Sequence, residues 1–211
     1  MKKFFLVLLS LSFFSCYSTH KFLNTDINSG GRIAVVIAET KYDDVNTIIA
    51  NSMSELLEAK SKLTVVHQHK VKSIIGTYPE RIRGPYKHLG DEIEPDNKRR
   101  DMDTLAAYAK KLNVNYLYVF WIPICVESKI ITTDPYGNTR ESAGFTGYYY
   151  IGELIEFPSR RIIAQGEAEL SYIPNATVIG SRKPAASSRE MAINFSELAV
   201  DEIIKNTGIG K

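Results

Sequence analysis

The sequence has few cysteines, no long apolar segment and no excess of charge in its main part. Its 211 residues include two cysteines, Cys16 and Cys125, which excludes a framework of several disulfides. No apolar stretch reaches the roughly 20 residues that a membrane-spanning helix needs. The formal net charge of +2 is that of Lys2 and Lys3, and the rest of the chain is balanced. Without a basic excess, nucleic acid is not an expected partner.

Sequence motifs of enzymes and cofactor sites are also missing. No Gly-rich phosphate loop follows a predicted strand, and neither G-x-S-x-G nor H-E-x-x-H occurs. His67 and His69 could share one face of a strand, but no third metal ligand is close in sequence. The acidic run at residues 91–96 lacks the spacing of a calcium loop, and a solvated surface explains it better. We therefore expect no catalytic residue, no metal and no cofactor.

The amino terminus has the composition of a bacterial secretion signal. Two lysines at positions 2 and 3 are followed by a largely apolar run at residues 4–14. This run has the length of a signal-peptide core, and it is too short for a permanent span. Ser15 supplies a small residue directly before Cys16. We predict that residues 1–15 are removed on export.

The residues before Cys16 resemble the lipobox of bacterial lipoproteins, in which a diacylglycerol is attached to the cysteine and the signal is cleaved directly before it. The usual pattern has Leu three residues before the cysteine and a small residue two before it, whereas this chain has Phe13 and Phe14 there. The resemblance implies that Cys16 carries a lipid and that a membrane is the first partner. Ordinary secretion with cleavage near Ser15 is the alternative.

Tyr17 bears on the choice of membrane. In the familiar sorting scheme of lipoproteins, an aspartate directly after the lipidated cysteine retains the protein at the inner membrane. Because Tyr17 stands at that place, the resemblance implies anchoring in the outer membrane. The periplasmic face of the inner membrane is the alternative location.

Residues 16–31 have the pattern of a flexible tether. They are polar, show no sustained period and end in Ser29-Gly30-Gly31. A flexible coil of this length typically reaches about 20 Å. Residues 32–211 are then long enough for one domain with a substantial core. The predicted organisation is a signal peptide at 1–15, a tether at 16–31 and a single domain at 32–211.

The domain sequence alternates strand and helix patterns and then becomes a strand meander. The continuous apolar run at residues 33–38 predicts a strand covered on both faces. Asp134, Pro135 and Gly137 occupy the favoured positions of a type I turn between two long strands. The order predicts an α/β fold with α+β character, made of a mixed sheet, a C-terminal antiparallel meander and about three packed helices. Further strands are predicted at residues 63–66, 116–131, 145–156 and 161–172, and helices at 43–60, 67–75, 101–113 and from Ser187 or Ser188 to 207.

Three segments resemble a family of periplasmic domains: LAAYAKKLNVNYLYVF at residues 105–120, GELIEFPSRRIIAQGEAEL at 152–170 and FSELAVDEIIKN at 195–206. They are similar to the α/β domain shared by the amino-terminal part of TolB, the curli secretion lipoprotein and the lipoprotein activator of peptidoglycan synthase. The likeness covers about residues 32–207. It departs at Phe120-Trp121, where the family often has a glycine. The resemblance implies a non-enzymatic module that binds or helps assemble other envelope components.

Two turn-rich segments offer candidate residues for binding an envelope protein. Tyr78 and Tyr86 lie in the irregular segment at residues 76–98, and Tyr136 and Arg140 lie at the hairpin tip. Exposed loops on a rigid scaffold often carry recognition, and tyrosine supplies contact area at low entropic cost. We predict one binding region made by residues 76–96 and the hairpin tip at residues 134–140. The alternative is that they are surface loops without a partner.

Other interpretations of the same residues stay open. The strand aromatics Tyr116, Tyr118 and Phe120 suit a sheet core, or else a docking surface. Cys125 lies in an apolar run and suits a small buried hydrophobe, but an envelope hydrolase could pair it with a distant His88 or His67. A small-ligand-binding lipoprotein could use residues 76–98 as a lid.

Overall fold

A mixed six-stranded sheet with four helices makes up the part of the chain that the computed structural model describes, residues 19–38, 43–76, 102–172 and 187–211. The predicted α/β fold is confirmed, and the fourth helix is the short α2. The elements are β1 (Thr19–Phe22), β2 (Arg32–Ile37), α1 (Asp43–Lys60), β3 (Thr64–Val66), α2 (Gln68–Ile75), α3 (Met102–Leu112), β4 (Tyr116–Thr133), β5 (Thr139–Glu156), β6 (Arg161–Tyr172) and α4 (Ser188–Thr207).

The strands lie in the order β1-β6-β5-β4-β2-β3. β2 is parallel to both β3 and β4, and its side chains from Ile33 to Ile37 are fully buried. A strand covered on both faces needs apolar residues at every position, which is the pattern of residues 33–38. β4, β5 and β6 form the predicted antiparallel meander, and α1 packs against β2 and α4.

The ends of α4 lie where local sequence signals predict them. Ser187 precedes the helix, and its hydroxyl accepts a hydrogen bond from the backbone N–H of Glu190 at 3.2 Å. Gly208 follows the helix in the left-handed conformation, with φ of 67°, and its N–H donates to the carbonyl of Ile204. Phe195 and Ile203 are among the fully buried residues of its inner face.

The hairpin of β4 and β5 is longer than the sequence indicates. β5 begins at Thr139, not near residue 145, because the polar stretch that follows the turn pairs with β4 all the way to Thr133. The Asp134 carboxylate holds the turn by accepting from the backbone N–H groups of Tyr136 and Asn138, each at 2.9 Å. β2 pairs with β4 only as far as Phe120, so the hairpin continues well past the parallel strands.

The tether prediction is wrong from residue 19 onward. Thr19–Phe22 form β1, which pairs antiparallel with β6 at one edge of the sheet. The following residues are also bound, since the Leu23 N–H donates to the carbonyl of Ile163 at 2.7 Å. The Asn28 N–H likewise donates to the Tyr116 hydroxyl at 2.8 Å. A polar segment without a period is thus ordered by contacts that are distant in sequence.

The strand aromatics belong to the core. Tyr116, Tyr118, Phe120 and Trp121 are each at most 3% exposed. This confirms the core interpretation of these residues, and a docking surface made by them is excluded. Over the described ranges of the chain, the helices include none with both the length and the apolar character that crossing a bilayer requires.

Candidate functional site

The predicted binding residues divide between described and undescribed parts of the chain. Cys16, Tyr78 and Tyr86 lie outside the described residues. Tyr136 stands at the hairpin turn with 90% of its surface exposed. Arg140 is in the same hairpin, opposite Thr132 in the register of β4 and β5. The structure therefore brings Tyr136 and Arg140 to one projecting hairpin, and a shared binding region with residues 76–96 stays a prediction.

The residues of the thiol alternative have other partners. Cys125 is half-buried in β4, where its thiol hydrogen-bonds with the Tyr148 hydroxyl of β5. The Nε2 atom of His67 lies 3.0 Å from Glu58, and its ring stacks on that of His69. His88 lies outside the described residues. Within the described ranges, no three His, Cys, Asp or Glu side chains are grouped so that they could hold a metal ion.

The site that the sequence did not indicate is the attachment of β1. β1 contributes four residues, and a ladder of this length alone is a weak attachment for an edge strand. The side chain of His20 strengthens this attachment. The imidazole is 1% exposed and lies in the interior of the domain. β1 is therefore held both by backbone pairing and by a buried imidazole.

Both nitrogens of the His20 ring have partners. Nδ1 lies 2.7 Å from the Glu202 carboxylate of α4, and the same carboxylate accepts the His20 backbone N–H at 3.3 Å. Nε2 lies 2.7 Å from the Tyr118 hydroxyl, to which the Tyr150 hydroxyl donates at 2.8 Å. We call His20, Tyr118, Tyr150 and Glu202 the latch. It connects the edge strand with β4, β5 and α4.

The donors and acceptors of the latch are balanced by one arrangement. The Glu202 carboxylate only accepts, so the Nδ1 atom of His20 carries a proton and donates it. Tyr118 accepts from Tyr150, and its own proton is then available for the Nε2 atom of His20. With Nδ1–H as a donor and Nε2 as an acceptor, every hydrogen bond of the chain has one donor and one acceptor. Burial raises the pKa of Tyr118 and of Tyr150, so both hydroxyls remain donors.

Two glycines make the space that the latch occupies. Gly166 lies opposite His20 on one side and opposite Gly152 on the other, in one row across three strands. A Cβ atom on Gly166 would lie 2.5 Å from the His20 ring. A Cβ atom on Gly152 would lie 2.5 Å from the hydroxyl of Tyr150 and 2.7 Å from that of Tyr118. Neither position can take a side chain unless the latch moves.

A sequence signal for this site existed, but it was incomplete. Glycine in the interior of a strand often marks the close approach of another group, and both Gly152 and Gly166 lie inside strands. The approaching groups are His20 and two tyrosines, and they are far from these glycines along the chain. The spacing of the residues alone does not identify them.

Comparison with known proteins identifies no family. No family model and no curated protein matches the sequence. Among solved structures, a PelC dodecamer from Paraburkholderia phytofirmans has 10% identity and a TM-score of 0.49, and the match covers 89% of this chain and 98% of that one. Lipoprotein GNA1162 from Neisseria meningitidis has 9% identity and a TM-score of 0.39, with coverage of 84% and 98%. A protein from Chlamydia trachomatis has 12% identity and a TM-score of 0.37, with coverage of 85% and 97%. TolB, the curli secretion lipoprotein and the synthase activator are not among these three, so that resemblance stays a prediction.

Proposed function

We propose that this protein is an envelope lipoprotein, anchored in the outer membrane through a lipid on Cys16, whose domain binds or helps assemble other envelope components without being an enzyme. The observation that carries the proposal is the position of the latch directly behind the lipobox-like residues. His20 is four residues from Cys16. An export signal thus leads into a strand that is tied to the core, with almost no linker between them.

The short connection supports a site of action close to the membrane. Thr19 follows Cys16 by three residues, so the two α carbons are at most about 10 Å apart. A flexible tether of about 15 residues would typically give the domain twice that range. A domain held this closely suits partners at the membrane surface. The outer membrane is favoured over the inner membrane by Tyr17, as the sorting resemblance implies.

The lipid anchor is tested by labelling cells with radioactive palmitate. We expect the label in the unaltered protein and its loss in Cys16→Ser, which should leave the membrane fraction. The matched control is Cys125→Ser, which makes the same replacement in β4 and should keep the label. Density-gradient separation of the two membranes then locates the protein. A native protein that is soluble and unlabelled would contradict the anchor.

The binding role is tested by cross-linking intact cells and identifying the captured proteins by mass spectrometry. We expect envelope proteins to be captured, and we expect their capture to fall when residues 76–96 and 134–140 are both replaced by short Gly-Ser linkers. The control replaces residues 158–160, the turn at the opposite end of β5, in the same way. Equal capture by a folded double-loop variant would show that Tyr78, Tyr86, Tyr136 and Arg140 are not the binding residues.

The non-enzymatic character of the protein is tested at its one thiol within the mature domain. The sulfur of Cys125 is hydrogen-bonded to Tyr148, and we expect Cys125→Ser to support full cellular function. The serine hydroxyl can keep this hydrogen bond, so a loss of structure would not confuse the result. Loss of function in a folded, membrane-bound Cys125→Ser protein would favour the thiol-enzyme alternative.

A further inference from the structure

We propose that the strands of the sheet lie nearly parallel to the membrane surface, with the β1 edge of the sheet turned toward the lipid headgroups. The inference rests on the lipid at Cys16 proposed above. The surface in question consists of residues 19–24, which we call the anchor edge. Its partner is the lipid bilayer itself.

The first step is the direction of the hairpin relative to the anchor. Thr19 lies in one row with Glu167 of β6, Ile151 of β5 and Trp121 of β4. Because β1 and β6 are antiparallel, Thr19 at the amino end of β1 is nearer to the turn of β4 and β5 than Phe22 at its carboxyl end. Cys16, which precedes Thr19 by three residues, is therefore connected to the end of β1 that is nearer to the projecting hairpin.

The second step compares two lengths. From Trp121, β4 continues for twelve residues to Thr133, which corresponds to about 40 Å of strand. Cys16 can lie at most about 10 Å from Thr19. Measured along the strands, the hairpin thus extends about 30 Å beyond the farthest point that the anchor can reach.

An orientation with the hairpin pointing into the membrane is excluded by this difference. Such a hairpin would enter the bilayer by about the full thickness of its hydrocarbon core. Its sequence contains Glu127, Lys129 and Asp134, and charged residues are costly at that depth. The Glu127 side chain is exposed, as is that of Asp134.

The orientation with the other end of the sheet toward the membrane is also excluded, because Cys16 could not reach the membrane from Thr19. β6 runs six residues from Arg161 to Glu167, the partner of Thr19, and this corresponds to about 20 Å. If that end of the sheet faced the membrane, Cys16 would need twice its available reach. The strands must therefore be close to parallel with the surface.

The third step identifies the side of the sheet. β1 is the outermost strand on one side and β3 on the other, so five strand spacings of about 4.8 Å separate the two edges. This distance is greater than the reach of Cys16 from Thr19, so the β1 edge is the one that the lipid holds near the membrane. Lys21 is exposed on the anchor edge, and Leu23 is 51% exposed. A lysine beside an apolar residue suits the headgroup region, where phosphate and acyl boundary lie close together.

α4 adds to the same surface. Its Glu202 bonds His20 of β1, and Leu198 precedes Glu202 by one helical turn on the same side. Leu198 is 42% exposed. Leu198 thus adds an exposed apolar side chain on the helix that holds β1.

The orientation is tested with a fluorophore placed on single cysteines in a Cys125→Ser background. Lipidated protein is reconstituted into vesicles of phosphatidylethanolamine and phosphatidylglycerol that contain lipid-borne quenchers. Lys21→Cys and Lys62→Cys make the same replacement at opposite edges, since Lys62 is exposed and precedes β3. Tyr136→Cys and Ser159→Cys report on the two ends of the strands. Leu23→Cys is a second probe of the anchor edge if Lys21→Cys fails to fold.

We expect several-fold stronger quenching at Lys21 or Leu23 than at Lys62, and similar quenching at Tyr136 and Ser159. Equal quenching at the two edges would overturn the proposal. So would strong quenching at Tyr136 with none at Ser159, which would indicate an inserted hairpin. Vesicle flotation is measured first. Failure to float refutes the lipid anchor and the orientation together, whereas floating protein with the wrong quenching pattern refutes the orientation alone.

Discussion

The Nε2 atom of His20 lies 2.7 Å from the hydroxyl oxygen of Tyr118, although the two residues are 98 positions apart and two strands lie between them in the sheet. The imidazole reaches over Gly166 and Gly152, where no side chain intervenes. A strand of four residues is thereby secured to the centre of the domain. Its attachment therefore does not rest on backbone pairing alone.

We expect His20→Ala to lower the free energy of unfolding by about 2–4 kcal/mol. The replacement removes two partly buried hydrogen bonds, leaves the Tyr118 hydroxyl without its acceptor and opens a cavity. Urea denaturation measures the loss. Hydrogen exchange should show that the amides of β1 lose protection while those of β2 keep it.

The control for this prediction is the next residue of the same strand. Lys21 is exposed, and Lys21→Ala should change the free energy of unfolding by less than about 0.5 kcal/mol. If the two alanine variants are equally stable, His20 contributes no more than the backbone pairing of β1 does, and the latch has no special importance.

Gly166→Ala should destabilise the protein because of His20 specifically. The added Cβ would lie 2.5 Å from the imidazole, so β1 must move away, at a cost of about 1–3 kcal/mol. In a His20→Ala background the same change should cost much less, since the obstructing ring is gone. The two replacements should therefore be non-additive by more than about 0.5 kcal/mol.

Gly30→Ala is the matched control for the glycine prediction. An added Cβ there would be 3.6 Å from its nearest neighbour, which is ordinary contact. We expect little change in unfolding by urea. Additive effects of Gly166→Ala and His20→Ala would mean that strand geometry, and not the latch, makes glycine necessary at position 166.

Much of the fold could be predicted because its signals are local. The start of α4 depends on Ser187 and its end on Gly208, and both lie within a few residues of the backbone groups they affect. The continuous apolar run at residues 33–38 predicts the burial of β2, which the structure shows. Such features need no knowledge of the rest of the chain.

The attachment of β1 could not be predicted in this way. Residues 19–22 include two polar residues and a lysine, and their stability comes from partners such as Glu202, which is 182 positions away. Without knowledge of those partners, the polar sequence of this segment predicts a flexible tether. The same holds for Gly152 and Gly166, whose role depends on which side chains fill the space above them.

Tyr118→Phe should cost more stability than Tyr150→Phe, although each removes one buried hydroxyl. Tyr118 is the middle of the chain of hydrogen bonds, and its loss leaves both the Tyr150 hydroxyl and the Nε2 atom of His20 without this partner. Tyr150→Phe breaks one bond at the end of the chain. We expect about 2–3 kcal/mol for the first and about 1 kcal/mol for the second. Urea denaturation of both variants in parallel decides this, and a larger effect at Tyr150 would contradict the order of the chain.

Stability should fall as the solution becomes strongly alkaline. Burial raises the pKa of Tyr118 and of Tyr150 in the folded protein, while in the unfolded chain a tyrosine titrates near 10. The stabilisation is fully present below that pH. Above it, the unfolded state loses protons that the folded state keeps, so each such tyrosine lowers the free energy of unfolding by up to about 1.4 kcal/mol per pH unit.

Urea denaturation at a series of pH values gives the slope of the free energy of unfolding against pH. In Tyr150→Phe one of these protons is absent, and the slope should become shallower by about one proton. An unchanged slope in a folded Tyr150→Phe protein would show that the phenol of Tyr150 is not protected from ionisation by its burial between Tyr118 and Phe195.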